Sequence, residues 1–559
     1  MELWREIKDF LRCKPYIIIL SLTAACAYGF AIVHPAIGID ETAVSLYYDD
    51  GLTLSFVNRW SLFIVNKVFR IGTFMPWMVD LVSILIFMLS VTLWCIFWRK
   101  ICGSVVELPL WSYAFAAGIF ISCPLIAEIY TLYLHNGICM GYGVTACALL
   151  CLLKSLERKT ARRHCIMWLV ISSVLLTFAL GLYESFIVVF VLGGGSGFFL
   201  LRRLYGKKAE ASRYNAGMLF WMRNGFLSAA LAMLLRSVIL GFLKAVCDLE
   251  GLESYGVLYQ KFFGDLFQTK GEFTMLLKRF FVKYYVNAVC YLPIAVLVGA
   301  LLLIMVYSLY FGIRKKDLTL PLCGTVFILL PVLMSIVEGL ATRYRSAQYV
   351  PLVGAFGVLL ILVECRKHNS YKRLLSIGCI LAGILIWNQC ADMNKWFYLD
   401  YRKYQNAREV MERVAYDLEK DYDITKPIVF RGGYSVPYEV SKEAYVSFSS
   451  PQYRWVCILT NWLDPQLKEK YYAADGKGYI FAETPVVSVL QWGLSAFDFT
   501  SGQLIEFWRM HGHGVFHCET DLDKIADAER IRTEENMPAY PQNGYIKECE
   551  EYIIVNLAR

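Results

Sequence analysis

Apolar residues run in long blocks through residues 1–390, and the polar residues between blocks alternate in character. Eleven blocks are long enough to matter: 16–33, 77–98, 109–127, 137–153, 165–182, 185–201, 225–244, 285–312, 318–337, 347–364 and 373–389. A helix needs about 20 mostly apolar residues to cross a bilayer, so each block predicts one spanning helix. The stretch 165–201 makes two spans only if the chain turns near Gly181–Ser185.

The loops predict the orientation. Arg5, Lys8, Arg12 and Lys14 precede the first block. Every second loop after that is basic again: Arg99–Lys100; Lys154, Arg158, Lys159, Arg162 and Arg163; Arg202, Arg203, Lys207 and Lys208; Arg314, Lys315 and Lys316; Arg366, Lys367, Lys372 and Arg373. Short Lys/Arg-rich loops stay on the cytoplasmic side, so the N-terminus is expected inside, and an odd number of spans leaves the C-terminal end outside. The other set of loops is 34–76, 128–136, the turn at 183–185, 245–284 and 338–346, and most membrane-proximal acids fall there. Leu54–Phe69 and Tyr259–Phe281 are amphipathic and are expected to lie flat in the interface.

Residues 391–559 read differently. A charged helical segment, Tyr401–Lys420, comes first. Short β-rich runs follow at Pro427–Phe430, Tyr445–Phe448, Tyr479–Phe481, Val486–Leu490 and Tyr552–Val555. The expected architecture is an α-helical polytopic membrane protein, 1–390, followed by an extracytoplasmic α+β domain, 391–559. Composition agrees: 57% of the 559 residues are hydrophobic and mean hydropathy is +0.47, against about 45–50% apolar in soluble domains. The net charge of +8 sits mostly in short loops, so it reads as membrane orientation and no nucleic-acid partner is expected. Most of the 18 cysteines lie within apolar blocks, as Cys26, Cys95, Cys147 and Cys151 do, where a thiol is a small hydrophobe. No CxxC pair occurs. The first block lacks a small-residue cleavage site and reads as an anchor.

Candidate chemistry gathers in the outer loops. Asp40 and Glu41 follow the first span, and Asp49–Asp50 lie farther on. Paired carboxylates suit general-base work, although Asp49–Asp50 also read as a solvated loop. Arg59, in Asn58-Arg59-Trp60, offers a fork for phosphate or a snorkelling anchor. Glu128, the triplet Tyr183-Glu184-Ser185, and Glu338 with Arg343 and Arg345 are ionisable groups at membrane edges, which are functional candidates by default. The bland alternative is a structural ion pair, Glu338 with Arg343 or Glu184 with an arginine of another loop. Arg343 and Arg345 are the only cations of a short outer loop, against the positive-inside trend. His511, His513, His517 and Cys518 are spaced loosely around Gly512 and Gly514, and no second cluster completes a zinc set; no metal is expected. The glycine run Gly193-Gly194-Gly195-Ser196-Gly197 falls inside a span, where it suits close helix packing.

Taken in order, these features resemble the Gtr-type glucosyltransferases that modify bacterial surface polysaccharides, within the GT-C class. The likeness rests on the acidic opening of the first outer loop (Asp40, Glu41) followed by Asn58-Arg59-Trp60, and on Tyr183-Glu184-Ser185, similar to the family's Tyr-Gln-Ser turn with Glu in place of Gln. It rests also on Asn388, Asp392, Tyr398 and Tyr404 leading into the helix that ends near Lys420, and on the closing Asn536-Met537-Pro538-Ala539-Tyr540-Pro541. The resemblance implies a polyprenyl-phosphate donor carrying a sugar, with glucose the expected one, and a surface glycan as acceptor. It also implies an inverting displacement in the bacterial plasma membrane, with no cofactor. Asp40, then Glu41, is the expected base. Arg59, Arg343 and Arg345 are expected on the donor phosphate, and Glu128, Tyr183, Glu184 and Glu338 on substrate. A transporter or flippase of lipid-linked sugars is the competing class; the carboxylates gather at the outer surface instead of mid-span, which counts against it.

Overall fold

In the computed structural model, the described residues are 2–38, 41–42, 59–69, 76–103, 105–131, 135–158, 161–205, 214, 217–246, 294–337, 347–367, 371–432, 434, 436–442, 445–447, 479–481, 488, 490 and 502–557. The helices are α1 Glu2–Arg12, α2 Lys14–Val33, α3 Trp60–Val68, α4 Pro76–Cys102, α5 Tyr113–Ile121, α6 Leu125–Thr131, α7 His135–Ser155, α8 Arg162–Leu182, α9 Phe186–Tyr205, α10 Met218–Val246, α11 Ile294–Lys315, α12 Thr319–Val337, α13 Tyr349–Lys367 and α14 Tyr371–Asp421. They are followed by β1 Ile428–Arg431, α15 Tyr438–Ser441, β2 Tyr445–Ser447, β3 Tyr479–Phe481, α16 Gly502–Met510, α17 Leu522–Glu534, β4 Ile546–Glu548 and β5 Ile553–Asn556.

Eight helices among the described residues are long and apolar enough to cross a membrane: α2, α4, α7, α8, α9, α10, α13 and α14. Shorter apolar helices cover Leu110–Ile121 and Thr319–Leu330. A helix occupies each of the eleven expected places, but the criterion is met by eight. The block expected at 109–127 is two helices, α5 and α6, parted at Ser122–Pro124. Proline has no N–H to donate and its ring clashes with the preceding turn, so the first helix stops before Pro124 and a second begins after it.

Polar side chains and small residues knit these helices together, as they must where no hydrophobic effect operates between helices. Trp98 Nε1 donates to Ser196 Oγ at 2.9 Å, Trp94 Nε1 to the Tyr142 carbonyl at 3.1 Å, and Tyr142 Oη to the Gln348 carbonyl at 2.8 Å. The glycine run packs closely: a Cβ on Gly193 would come within 2.6 Å of Leu149, and one on Gly197 within 2.7 Å of Phe97.

At one end of the bundle, α1 lies across the basic ends of α4 and α7. Glu2 pairs with Lys100 and Lys154, and Glu6 with Arg99. Lys154 and Lys100 together pull the Glu2 carboxyl down to about 2. Arg202 pairs with Asp317, and Arg203 with Glu364.

α14 continues without a break for 51 residues, roughly 76 Å at 1.5 Å per residue, more than twice the hydrocarbon thickness. The segments expected as a span (373–389) and a separate helix (401–420) are therefore one rod, and the boundary expected at 390–391 falls inside it. Its first half, through Leu399, packs in the bundle core; Ala407, Val410, Met411, Val414 and Leu418 belong to a second core. That second core covers one face of a three-stranded sheet of order β1-β5-β4, with β1 parallel and β4 antiparallel to β5. Ile428, Phe430, Ile553 and Val555 face α14 and α16, while Val429 and Ile554 face α17. Strands covered on both faces are apolar at every position, which is why Ile553-Ile554-Val555 does not alternate. β2 and β3 pair antiparallel in a separate two-stranded sheet. Of the strand expected at 486–490, only residues 488 and 490 are described.

A candidate anion site at the turn between α8 and α9

The site lies at the end of the bundle away from α1. α8 ends at Leu182, and Tyr183-Glu184-Ser185 turns the chain into α9, as the block pattern expects. α3 docks against this turn. Leu62 and Val65 pack with Leu182, and the Trp60 ring stands edge-on to Phe178 with centroids 5.8 Å apart. Among the described residues of the stretch expected to lie flat on the bilayer, Ser61, Leu62, Val65 and Asn66 are thus buried in protein. Their polar members show the cause: Asn136 Nδ2 donates to Asn66 Oδ1 at 2.7 Å, tying α3 to α7.

Gly181 lets α3 approach this closely. A methyl there would collide with the Ser61 hydroxyl and come within 2.7 Å of Trp60 Nε1. The approach sets the Arg59 guanidinium over the Tyr183 ring, 4.3 Å from its centroid. A cation over a ring face at that distance is attracted by about 0.5–2 kcal/mol, more when desolvated. Next along the turn, Glu184 pairs with Arg236 of α10. The arginine that pairs with Glu184 is thus on a helix, where the ion-pair alternative had placed it in a loop. Sequence reasoning passed over Arg236 because it lies inside the block 225–244. A lone guanidinium in an apolar span is itself a signal of a partner or a function.

The other candidate residues lie elsewhere or outside the described chain. Glu41 is buried, and its Oε2 accepts the Gly38 N–H at 3.0 Å. The segment leading to it is held by α14 and the second core: His34 meets Tyr401 edge-on at 5.1 Å, and Ile37 packs on the second core. Glu128 is buried on α6. Its neighbour Tyr130 donates to the Asp80 carbonyl at 3.0 Å, and its ring lies tilted against Tyr28 and edge-on to Phe397. Arg59, Tyr183 and Glu184 are therefore brought together at the turn, while Glu41 follows α2 and Glu128 lies on α6. Asp40, Glu338, Arg343 and Arg345, with Asp49 and Asp50, lie outside the described residues. In the tail, His511 Nδ1–H donates to the Phe507 carbonyl at 2.6 Å, and Nε2 accepts from Tyr404 Oη at 2.9 Å.

Chemically, the turn offers two guanidiniums and one carboxylate beside aromatic and hydroxyl groups, a set suited to an anionic oxygen. No curated protein and no solved structure matches the chain. Residues 29–362, from late α2 to late α13, match the family described as Glucosyl transferase GtrII. The match takes in α3 and the turn with Arg59, Tyr183, Glu184 and Arg236, and excludes α14 and the tail. With well over half its length inside that match and eight helices fit to cross a bilayer, the chain belongs to the GtrII glucosyltransferase family and is a membrane-bound glycosyltransferase.

Proposed function

We propose that the protein transfers a sugar, glucose by family, from a polyprenyl-phosphate donor to a hydroxyl of a cell-surface glycan on the outer face of the bacterial plasma membrane. The chain crosses eleven times, with a cytoplasmic N-terminus and residues 391–559 outside. The observation that carries this reading is the gathering of Arg59, Tyr183, Glu184 and Arg236 at one turn, at the end of the bundle away from the basic α1 end. A donor dissolved in the bilayer presents its phosphate at that depth, and a departing phosphate needs positive charge as its own charge builds.

In the reaction a carboxylate removes the proton of the acceptor hydroxyl. The resulting oxygen attacks the anomeric carbon, the bond from that carbon to the phosphate oxygen breaks, and polyprenyl phosphate leaves. The attack is in line, so the anomeric configuration inverts. Asp40 is the base we assign, with Glu41 the second choice. We assign Arg59, Arg343 and Arg345 to the leaving phosphate, and Glu128, Tyr183, Glu184 and Glu338 to substrate. The buried carboxylate of Glu41, already accepting a backbone N–H, suits a supporting role better than proton transfer. The test is to incubate purified protein with polyprenyl-phosphate glucose and a glycan acceptor. Release of polyprenyl phosphate matched by product with inverted linkage is expected. Transfer from a nucleotide sugar without the lipid would overturn the donor assignment.

A further inference from the structure

Four buried donors on and around the turn between α8 and α9 have no acceptor among the described residues. Ser61 Oγ, Ser185 Oγ, Trp60 Nε1 and Arg236 Nε are buried, and none makes a hydrogen bond. Both serines are almost wholly enclosed, at 0% and 2% exposure. Trp60 and Ser61 abut Gly181, Ser185 closes the same turn, and Arg236 reaches it through Glu184. A buried donor without an acceptor costs about 1–3 kcal/mol, so several at one place point to an acceptor that binds there.

The charges point to its sign. Arg59 and Arg236 both approach the turn, and Glu184 is the one carboxylate paired there among the described residues. Their exposures differ: the Arg236 side chain is 13% exposed and the Glu184 side chain 46%. The cation is fixed in the protein; the carboxylate sits at its edge and can swing away. The positive end of the α9 dipole adds to the pull on an anion. The approach is from lipid, because Met233, Leu234, Val238 and Phe242 around Arg236 on α10 are exposed apolar side chains.

We infer that this turn binds the phosphate ester of a lipid, with Glu184 occupying Arg236 until the phosphate displaces it. The inference rests on the lipid-phosphate donor reading and deepens it: Arg236 becomes a phosphate ligand and Glu184 a place-holder. The phosphate's unbridged oxygens take the Arg236 and Arg59 guanidiniums at the edge of the turn. When the binding-competent form is a minor one, apparent affinity falls by its fraction, so a carboxylate that closes the site about nine-tenths of the time weakens binding about tenfold.

The experiment measures binding of farnesyl phosphate to the full chain in phosphatidylcholine nanodiscs, alongside farnesol, inorganic phosphate and discs containing phosphatidylglycerol. Wild type is expected to bind farnesyl phosphate and not farnesol. Glu184→Gln should bind about tenfold more tightly, and Arg236→Lys more weakly. Arg236→Ala strands no buried charge, because Glu184 is half-exposed. The double variant Glu184→Gln/Arg236→Gln removes both charges and should keep the wild-type melting temperature while losing binding. Unchanged or weaker binding by Glu184→Gln, or wild-type binding by the double variant, overturns the assignment. Equal competition by inorganic phosphate or by phosphatidylglycerol overturns the isoprenoid phosphate as occupant. The two readings fail separately: if no sugar is released from lipid phosphates yet binding follows this pattern, the donor assignment falls and the site stands. If transfer proceeds but ignores Glu184 and Arg236, the site falls and the donor stands.

Discussion

Replacing Gly181 by alanine tests whether α3 is held against the turn as tightly as the packing requires. The added methyl meets the Ser61 hydroxyl in collision and Trp60 Nε1 at 2.7 Å. Neither neighbour has room to give, since Ser61 is fully buried and the Trp60 ring is stacked edge-on to Phe178. Overpacking of this kind costs about 1–3 kcal/mol. Gly225 and Gly241 on α10 supply the control, because a methyl at either meets nothing within 4 Å. In those helical positions Gly→Ala should gain about 0.5–1 kcal/mol through reduced backbone entropy. The same chemical change should therefore lower the melting temperature at one position and hold or raise it at two others. Turnover separates further. Backing α3 away from the turn moves Arg59 off the Tyr183 ring, and an ångström of misplacement at a reacting centre costs up to about 10²-fold. Melting temperature in detergent and release of polyprenyl phosphate are the two readouts. Ser61→Ala added to Gly181→Ala removes the colliding oxygen and should recover part of both. If Gly181→Ala matches Gly225→Ala in melting and in turnover, α3 does not dock on Gly181 and the site built on that docking is wrong.

Two further outcomes follow from the outer segment and the tail. Asp40→Asn should leave melting unchanged and lower kcat by about 10²–10⁴, whereas Glu41→Gln, which weakens the bond from Gly38 N–H, should lower melting with kcat largely kept; the reverse pattern in paired melting and kinetic assays would move the base to Glu41. Burial lowers the His511 pKa below its ordinary 6.5, so the folded tail favours the neutral ring; that contribution is present above pH 6.5 and is lost as pH falls from 6.5 through the lower folded value. Melting followed from pH 7.5 to 5 should fall more steeply in wild type than in His511→Gln, and equal slopes would show that the ring is not held neutral.

The apolar blocks and the alternating basic loops were enough to place the helices, because lipid forces every backbone group to be satisfied within its own segment and the resulting periodicity is long and unmistakable. The turn at Gly181–Ser185 was legible from the loops: basic loops on both sides of residues 165–201 belong on one side of the membrane, so that stretch must make two spans with a reversal between them. The second core's sheet was partly legible from its short β-branched runs, though β4 was not, since Ile-Lys-Glu carries little strand signal by itself. Sequence also nominated Arg59, Tyr183 and Glu184, each a polar group where apolar neighbours make it costly.

Tertiary structure decided which of these residues meet. Arg236 is 52 residues from Glu184, and Asn136 is 70 from Asn66; no local pattern encodes contacts at that separation. The fate of residues 60–68 was decided the same way. Its amphipathic pattern suits a bilayer surface and a protein groove equally, and the space left by Gly181 together with the bond to Asn136 selects the groove. The unbroken α14 is likewise a tertiary outcome: a polar segment following an apolar one signals a change of solvent, and the helix carries on through it because both halves find a core to pack against.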